Sequence, residues 1–152
     1  QQFRITSNYN SNNSSFDFYA NWEKTDGTGQ GGFGSFSDPA SGVFTFPQTG
    51  YYYVTFNSFF EDSGSNPSAV IYIYGSTDGG SNYSTIASTN FGTQYDNTGY
   101  NYGTGFVNSI VDVTDVAQVK VKFGAYSNST VTWDSSSTEN RTYATFIRLG
   151  DT

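Results

Sequence analysis

The chain has 152 residues, with 13 acidic against 6 basic side chains and no Cys, His or Met. One domain of that size buries about 70% of its extended surface without disulfide staples. So few cations lay no basic track along phosphates and are repelled by anionic lipid, and no apolar run approaches the length of a membrane span, which together argue against nucleic-acid binding and membrane insertion.

Residues 1–15, "QQFRITSNYNSNNSS", are polar and Asn/Ser-rich, and predict an N-terminal linker or stalk-proximal segment ahead of a domain spanning 16–152. Phe16, Phe18, Ala20 and Trp22 alternate with polar neighbours and predict a first strand. After the turn-rich "EKTDGTGQGG", short strands are expected near Phe33–Phe36 and Val43–Phe46, then a long one from Tyr51 to Phe60. The segments 69–75 and 83–89 flank a hairpin turn. Two further strands follow in "FVNSIVDV" and "AQVKVKFGAY", the second with Ala117, Val119, Val121 and Phe123 on its dry face. A polar loop from Ser127 to Asn140 holds Trp133, and "TYATFIRLG" closes the chain. Eight to ten short strands without an amphipathic helix predict an all-β, two-sheet antiparallel sandwich of jelly-roll type.

The inventory of reactive groups is thin. Without His or Cys the commonest bases, nucleophiles and transition-metal ligands are missing, and the three Lys stand in surface contexts. A carboxylate pair would have to come from Glu61, Glu139 or turn-bound Asp, so the chain reads as a non-enzyme with no cofactor. Asp26, Asp96 and Asp134 lie in oxygen-rich loops, yet no calcium-loop spacing connects them, and no metal ligand is named. "STDGGSNY" (76–83) resembles the Asp-box hairpin of sialidases and supports a turn there without implying catalysis. Loop aromatics flanked by Asn and Asp suit contact with a receptor or sugar. The candidates are Tyr95, Asp96, Asn97, Tyr100, Asn101 and Tyr102, with Trp133 in the second loop, although such rings also serve to pin long loops in place.

The stretch "FSDPASGVFTFPQTGYYYVTF" (36–56) is similar to the signature of C1q-like domains, which have the TNF-type jelly-roll fold. The shared elements are the aromatic before Asp38-Pro39, then Ser41-Gly42-Val43-Phe44-Thr45, Pro47, and Gly50-x-Tyr52-x-Val54-x-Phe56. The resemblance implies a homotrimer that binds ligands through surface loops. Alternation leads to the same assembly. Tyr52, Val54, Phe56 and Phe60 share one face of their strand, whereas Tyr51, Tyr53 and Phe59 share the other. Ile71 and Ile73 likewise oppose Tyr72 and Tyr74, and Tyr143, Ile147 and Leu149 oppose Ala144 and Phe146. A sandwich buries one face of each sheet, so Tyr51, Tyr53, Phe59, Tyr72, Tyr74 and Tyr143 are expected at a trimer interface. The low charge and Asn/Ser/Thr/Tyr-rich surface point to an extracellular or virion-surface setting, with a cell-surface receptor or glycan as partner. The alternative is a monomeric carbohydrate-binding module of a secreted glycoside hydrolase.

Overall fold

The computed structural model describes residues 1–62, 68–92 and 101–152, and contains ten strands and no helix among them. In chain order these are β1 (Gln2–Ile5), β2 (Tyr9–Asp17), β3 (Trp22–Lys24), β4 (Phe44–Thr45), β5 (Gly50–Asp62), β6 (Ser68–Ser76), β7 (Ser84–Gly92), β8 (Asn101–Val113), β9 (Lys120–Trp133) and β10 (Tyr143–Gly150). All pairings are antiparallel. One layer runs β3-β1-β10-β5-β8; in the other, β9 pairs β2 and β4 on one side and β6 on the other, with β7 beyond β6. The layers join at one corner, where the end of β9 leaves β6 and pairs β5 at Phe60↔Trp133 and Glu61↔Thr132.

Phe and Tyr divide the aromatic content by chemistry. Phe3, Phe18, Phe36, Phe44, Phe46, Phe56, Phe60, Phe123 and Phe146 are all buried. They interlock across the layers, with Phe56 stacked on Phe123 at 4.7 Å and Phe44 against Phe146 at 5.0 Å between ring centroids. Tyr carries a hydroxyl that must be satisfied when buried. Tyr52 alone among the described tyrosines is fully buried, and it donates to the Gln48 carbonyl at 2.9 Å. In the 36–56 stretch, Gly42 adopts φ +75°, and a Cβ there would press on the Phe18 carbonyl oxygen and come within 2.7 Å of the Tyr19 Cα. Only glycine allows the β4 entry to lie this close to residues 18–19.

Several expectations need correction. The 1–15 segment is not a free linker. Phe3 and Ile5 are buried in the core, β1 sits between β3 and β10, and β2 pairs β9 along its length. Buried Arg4 fixes it further, donating from Nε to Glu23 and from Nη2 to Asp26, each at 2.6 Å. The polar sequence of β2 is that of a strand left largely in water, where few positions need be apolar. Residues 18–21 are not strand, because Phe18 turns into the core and Asn21 takes φ +60°. No strand forms at 33–36, where Phe33 is exposed. Ala117 lies in an exposed turn before β9, and β9 runs on through Trp133, converting the first half of the expected polar loop into strand.

Candidate functional site

The register aligns the outward side chains of β10, β5 and β8 into rows. Ile147 lies opposite Tyr53, which lies opposite Ile110 on its other side. Tyr51 and Leu149 extend this group at one end, whereas the polar row Thr145–Thr55–Asn108 separates it from Phe106, which lies opposite Asn57. Ile110 is 62% exposed, Leu149 57%, Ile147 and Phe106 50%, and Tyr51 41%. Isolated exposed apolar side chains are ordinary, but a contiguous group on one sheet face marks a contact surface. Phe106 and Ile110 escape a reading of aromatic pairs in β5. Ile110 joins Tyr53 only through the β5–β8 register.

Further along the same face the chemistry changes. Phe59 and Tyr102 stand diagonally across β5 and β8 with their rings parallel, 5.6 Å apart at 11°. They line a cleft of about 610 Å³ together with Asn57, Glu61, Asp134, Arg141 and Tyr143. The segment 134–142 is buttoned to β5. The Asp134 amide donates to the Phe59 carbonyl at 2.8 Å, and the Thr142 hydroxyl donates to the Asp134 carbonyl at 2.6 Å. Arg141 donates from Nη1 to Asp134 Oδ2 at 2.5 Å and from Nε to Glu139 Oε2 at 3.2 Å. Hydrogen bonds to Asp134 first, and then to Glu139, hold the guanidinium pKa above its ordinary value. Glu61 makes no ion pair within 4 Å among the described residues. The Asn57 Nδ2 donates to the Tyr143 hydroxyl at 2.5 Å.

The expected interface residues do not form one surface. Tyr51 and Tyr53 belong to the apolar group, and Phe59 and Tyr143 line the cleft. Tyr72 and Tyr74 point outward from β6, in the opposite layer, so no single flat contact unites them with Tyr53. There the rings are consumed within the chain. Tyr72 stacks on Tyr74 at 5.4 Å, and Lys122 Nζ lies 5.4 Å from the Tyr74 ring and 4.6 Å from Tyr83 while donating to Asp17 at 2.6 Å. Burial first, then the Asp17 charge and Tyr72, push the Tyr74 phenol up to about 12.

Of the loop candidates, Tyr95, Asp96, Asn97 and Tyr100 lie outside the described residues. Tyr102 is exposed and lines the cleft, whereas Asn101 is buried at the start of β8. Trp133 is not a loop residue at all. It is 1% exposed, packed against Phe18 and Phe60, and its Nε1 donates to Ser11 Oγ at 2.8 Å. A ring buried on the inner face of β9 cannot meet a ligand, so it leaves the candidate set. Asp26 and Asp134 take arginine as partner, and among the described residues no three acidic side chains converge on a metal position. The 76–83 turn joins β6 and β7 as a hairpin: Asp78 accepts from the Asn82 amide at 3.0 Å, the Asn82 side chain at 2.7 Å and Ser76 Oγ at 2.7 Å. Those bonds hold its carboxyl well below the ordinary value.

No protein-family model matches the chain. No curated protein matches it either. Among solved structures it is similar to Eiger TNF from S. frugiperda, with 11% sequence identity over 99% of this chain and 92% of that one, and a TM-score of 0.65. A likeness at that identity bears on fold alone.

Proposed function

We propose that the chain, whose all-β sandwich is a TNF-like jelly roll in agreement with the C1q/TNF resemblance of residues 36–56, is a non-enzymatic homotrimeric head of an extracellular or virion-surface appendage, such as a fibre tip or capsid decoration. It would act in assembly and in recognition of a cell-surface ligand. The observation that carries this reading is the apolar group Tyr51, Tyr53, Ile110, Ile147 and Leu149 on one outer face. Left in water it costs roughly 25 cal/mol for every Å² of apolar area, and a second copy of the same chain is always present to cover it. A heterologous contact that closes on itself as a ring needs no further partner. The aromatic and aliphatic content, with Asp112 beside Tyr51 as a charged margin, matches the apolar core and polar rim of stable interfaces.

Light scattering on the purified chain tests the assembly. The expected mass is three times the 16.6 kDa protomer. A monomer at micromolar concentration would remove the trimeric head and favour a monomeric carbohydrate-binding module, for which the parallel rings of Phe59 and Tyr102 are the supporting observation.

A further inference from the structure

We propose that the cleft between β5, β8 and the 134–142 segment binds the terminal unit of an uncharged glycan, with Tyr102 as its stacking wall. This deepens the recognition part of the reading above and rests on it. A pyranose presents a C–H face that packs on an aromatic ring, and hydroxyls at its edge that need both acceptors and donors. The cleft offers each element. Tyr102 is 57% exposed and backed by the parallel Phe59 ring, so one flat apolar wall is held in place before a ligand arrives. Glu61 and Asp134 supply carboxylate acceptors, the first of them with no ion pair among the described residues. The Tyr143 hydroxyl accepts from Asn57 and thereby keeps its own proton for a ligand oxygen. A cleft of about 610 Å³ admits more than one sugar ring and lies in the range of small-molecule sites.

The charges decide against other ligands. Arg141 is the cleft's cation, and Asp134 and Glu139 both engage it. With Glu61 added, the local balance is negative, which repels a sialic acid, sulfate or phosphate. A quaternary ammonium favours rings that enclose it from several sides, whereas here the rings lie parallel on one wall. One side of the cleft is tied down within the chain, where the Thr142 hydroxyl donates to the Asp134 carbonyl at 2.6 Å and accepts from the Phe59 amide at 3.4 Å.

The test is a printed array of glucose-, galactose-, mannose- and N-acetylglucosamine-terminated glycans beside sialic-acid-terminated ones, followed by calorimetric titration of the strongest uncharged glycan. Binding is expected among the uncharged set, weakened about tenfold by Tyr102→Ala and by a similar factor by Glu61→Gln. Tyr72→Ala, on the opposite layer, is expected to leave it unchanged. Absence of uncharged binders, preference for sialylated glycans, or equal affinity in Tyr102→Ala would each overturn the proposal. Glu61→Gln is nearly isosteric, so the question stays decidable if Tyr102→Ala folds poorly. Light scattering on the same samples separates the two readings: a monomer that binds sugar removes the trimer and keeps the cleft, and a trimer that binds none does the reverse.

Discussion

On the outer face of the β10–β5–β8 layer, Tyr51 and Tyr53 stand among Ile110, Ile147 and Leu149, none of them drawn into a polar network. On the outer face of the β9–β6–β7 layer, Tyr72 and Tyr74 stack on each other, Lys122 caps Tyr74 and Tyr83, and Asp17 neutralises the lysine. The same residue type therefore has two uses. One layer engages its outer rings within the chain, and the other leaves Tyr51 and Tyr53 among exposed aliphatic side chains. An aromatic on a wet sheet face is evidence of an interface only when its neighbours are also unspent.

The largest expected effect breaks the first face. Tyr53→Asp combined with Ile110→Asp puts two charges in the centre of the proposed contact, and the mass should fall from three protomers to one. Tyr72→Asp should leave the mass unchanged, and a trimer that survives the first pair while dissociating with the second would invert the assignment of faces. Next is the open edge between the layers. β7 and β8 do not pair; instead the Phe91 ring lies directly on Gly105, in the space a Cβ would need. Gly105→Ala should cost about 1–3 kcal/mol in denaturant unfolding, through overpacking against that ring. Unchanged stability would mean that Phe91 moves freely and the edge is not closed by it.

Smaller effects sharpen the second face. Lys122→Ala removes the ion pair to Asp17 and the cation over two rings, with an expected loss of about 1 kcal/mol and no change of mass. The smallest is a pH effect. The Tyr74 phenol is pushed up to about 12, so from about pH 10 the unfolded chain releases this proton while the folded chain keeps it. The native state then binds more protons, and stability falls as pH rises through that window. Urea titrations at about pH 9 and about pH 11 should show a smaller loss for Tyr74→Phe than for the parent chain. An equal loss would place the alkaline sensitivity at other groups.

Much of the local structure was legible. Alternation separated Tyr52, Val54 and Phe56 from Tyr51 and Tyr53, and Ile71 and Ile73 from Tyr72 and Tyr74, as the burial of each confirms. It failed where polarity disguised a strand. β2 and the second half of β9 pair each other with many exposed Asn, Ser and Thr, so neither shows an apolar stripe, and the sequence pattern places Trp133 in a loop.

Composition and alternation determined that the chain is all-β and which side chains of β5, β6, the first half of β9 and the start of β10 face inward. Those properties depend on neighbours two residues apart. Only the tertiary structure decided that Tyr53 meets Ile110 and Ile147 while Tyr72 sits in the other layer, and that Phe59 meets Tyr102 over a cleft. A period of two tells a side chain which side of its strand it occupies. Which strand lies beside it is settled by register between segments as distant in the chain as Gln2 and Thr145, and no local pattern carries that information.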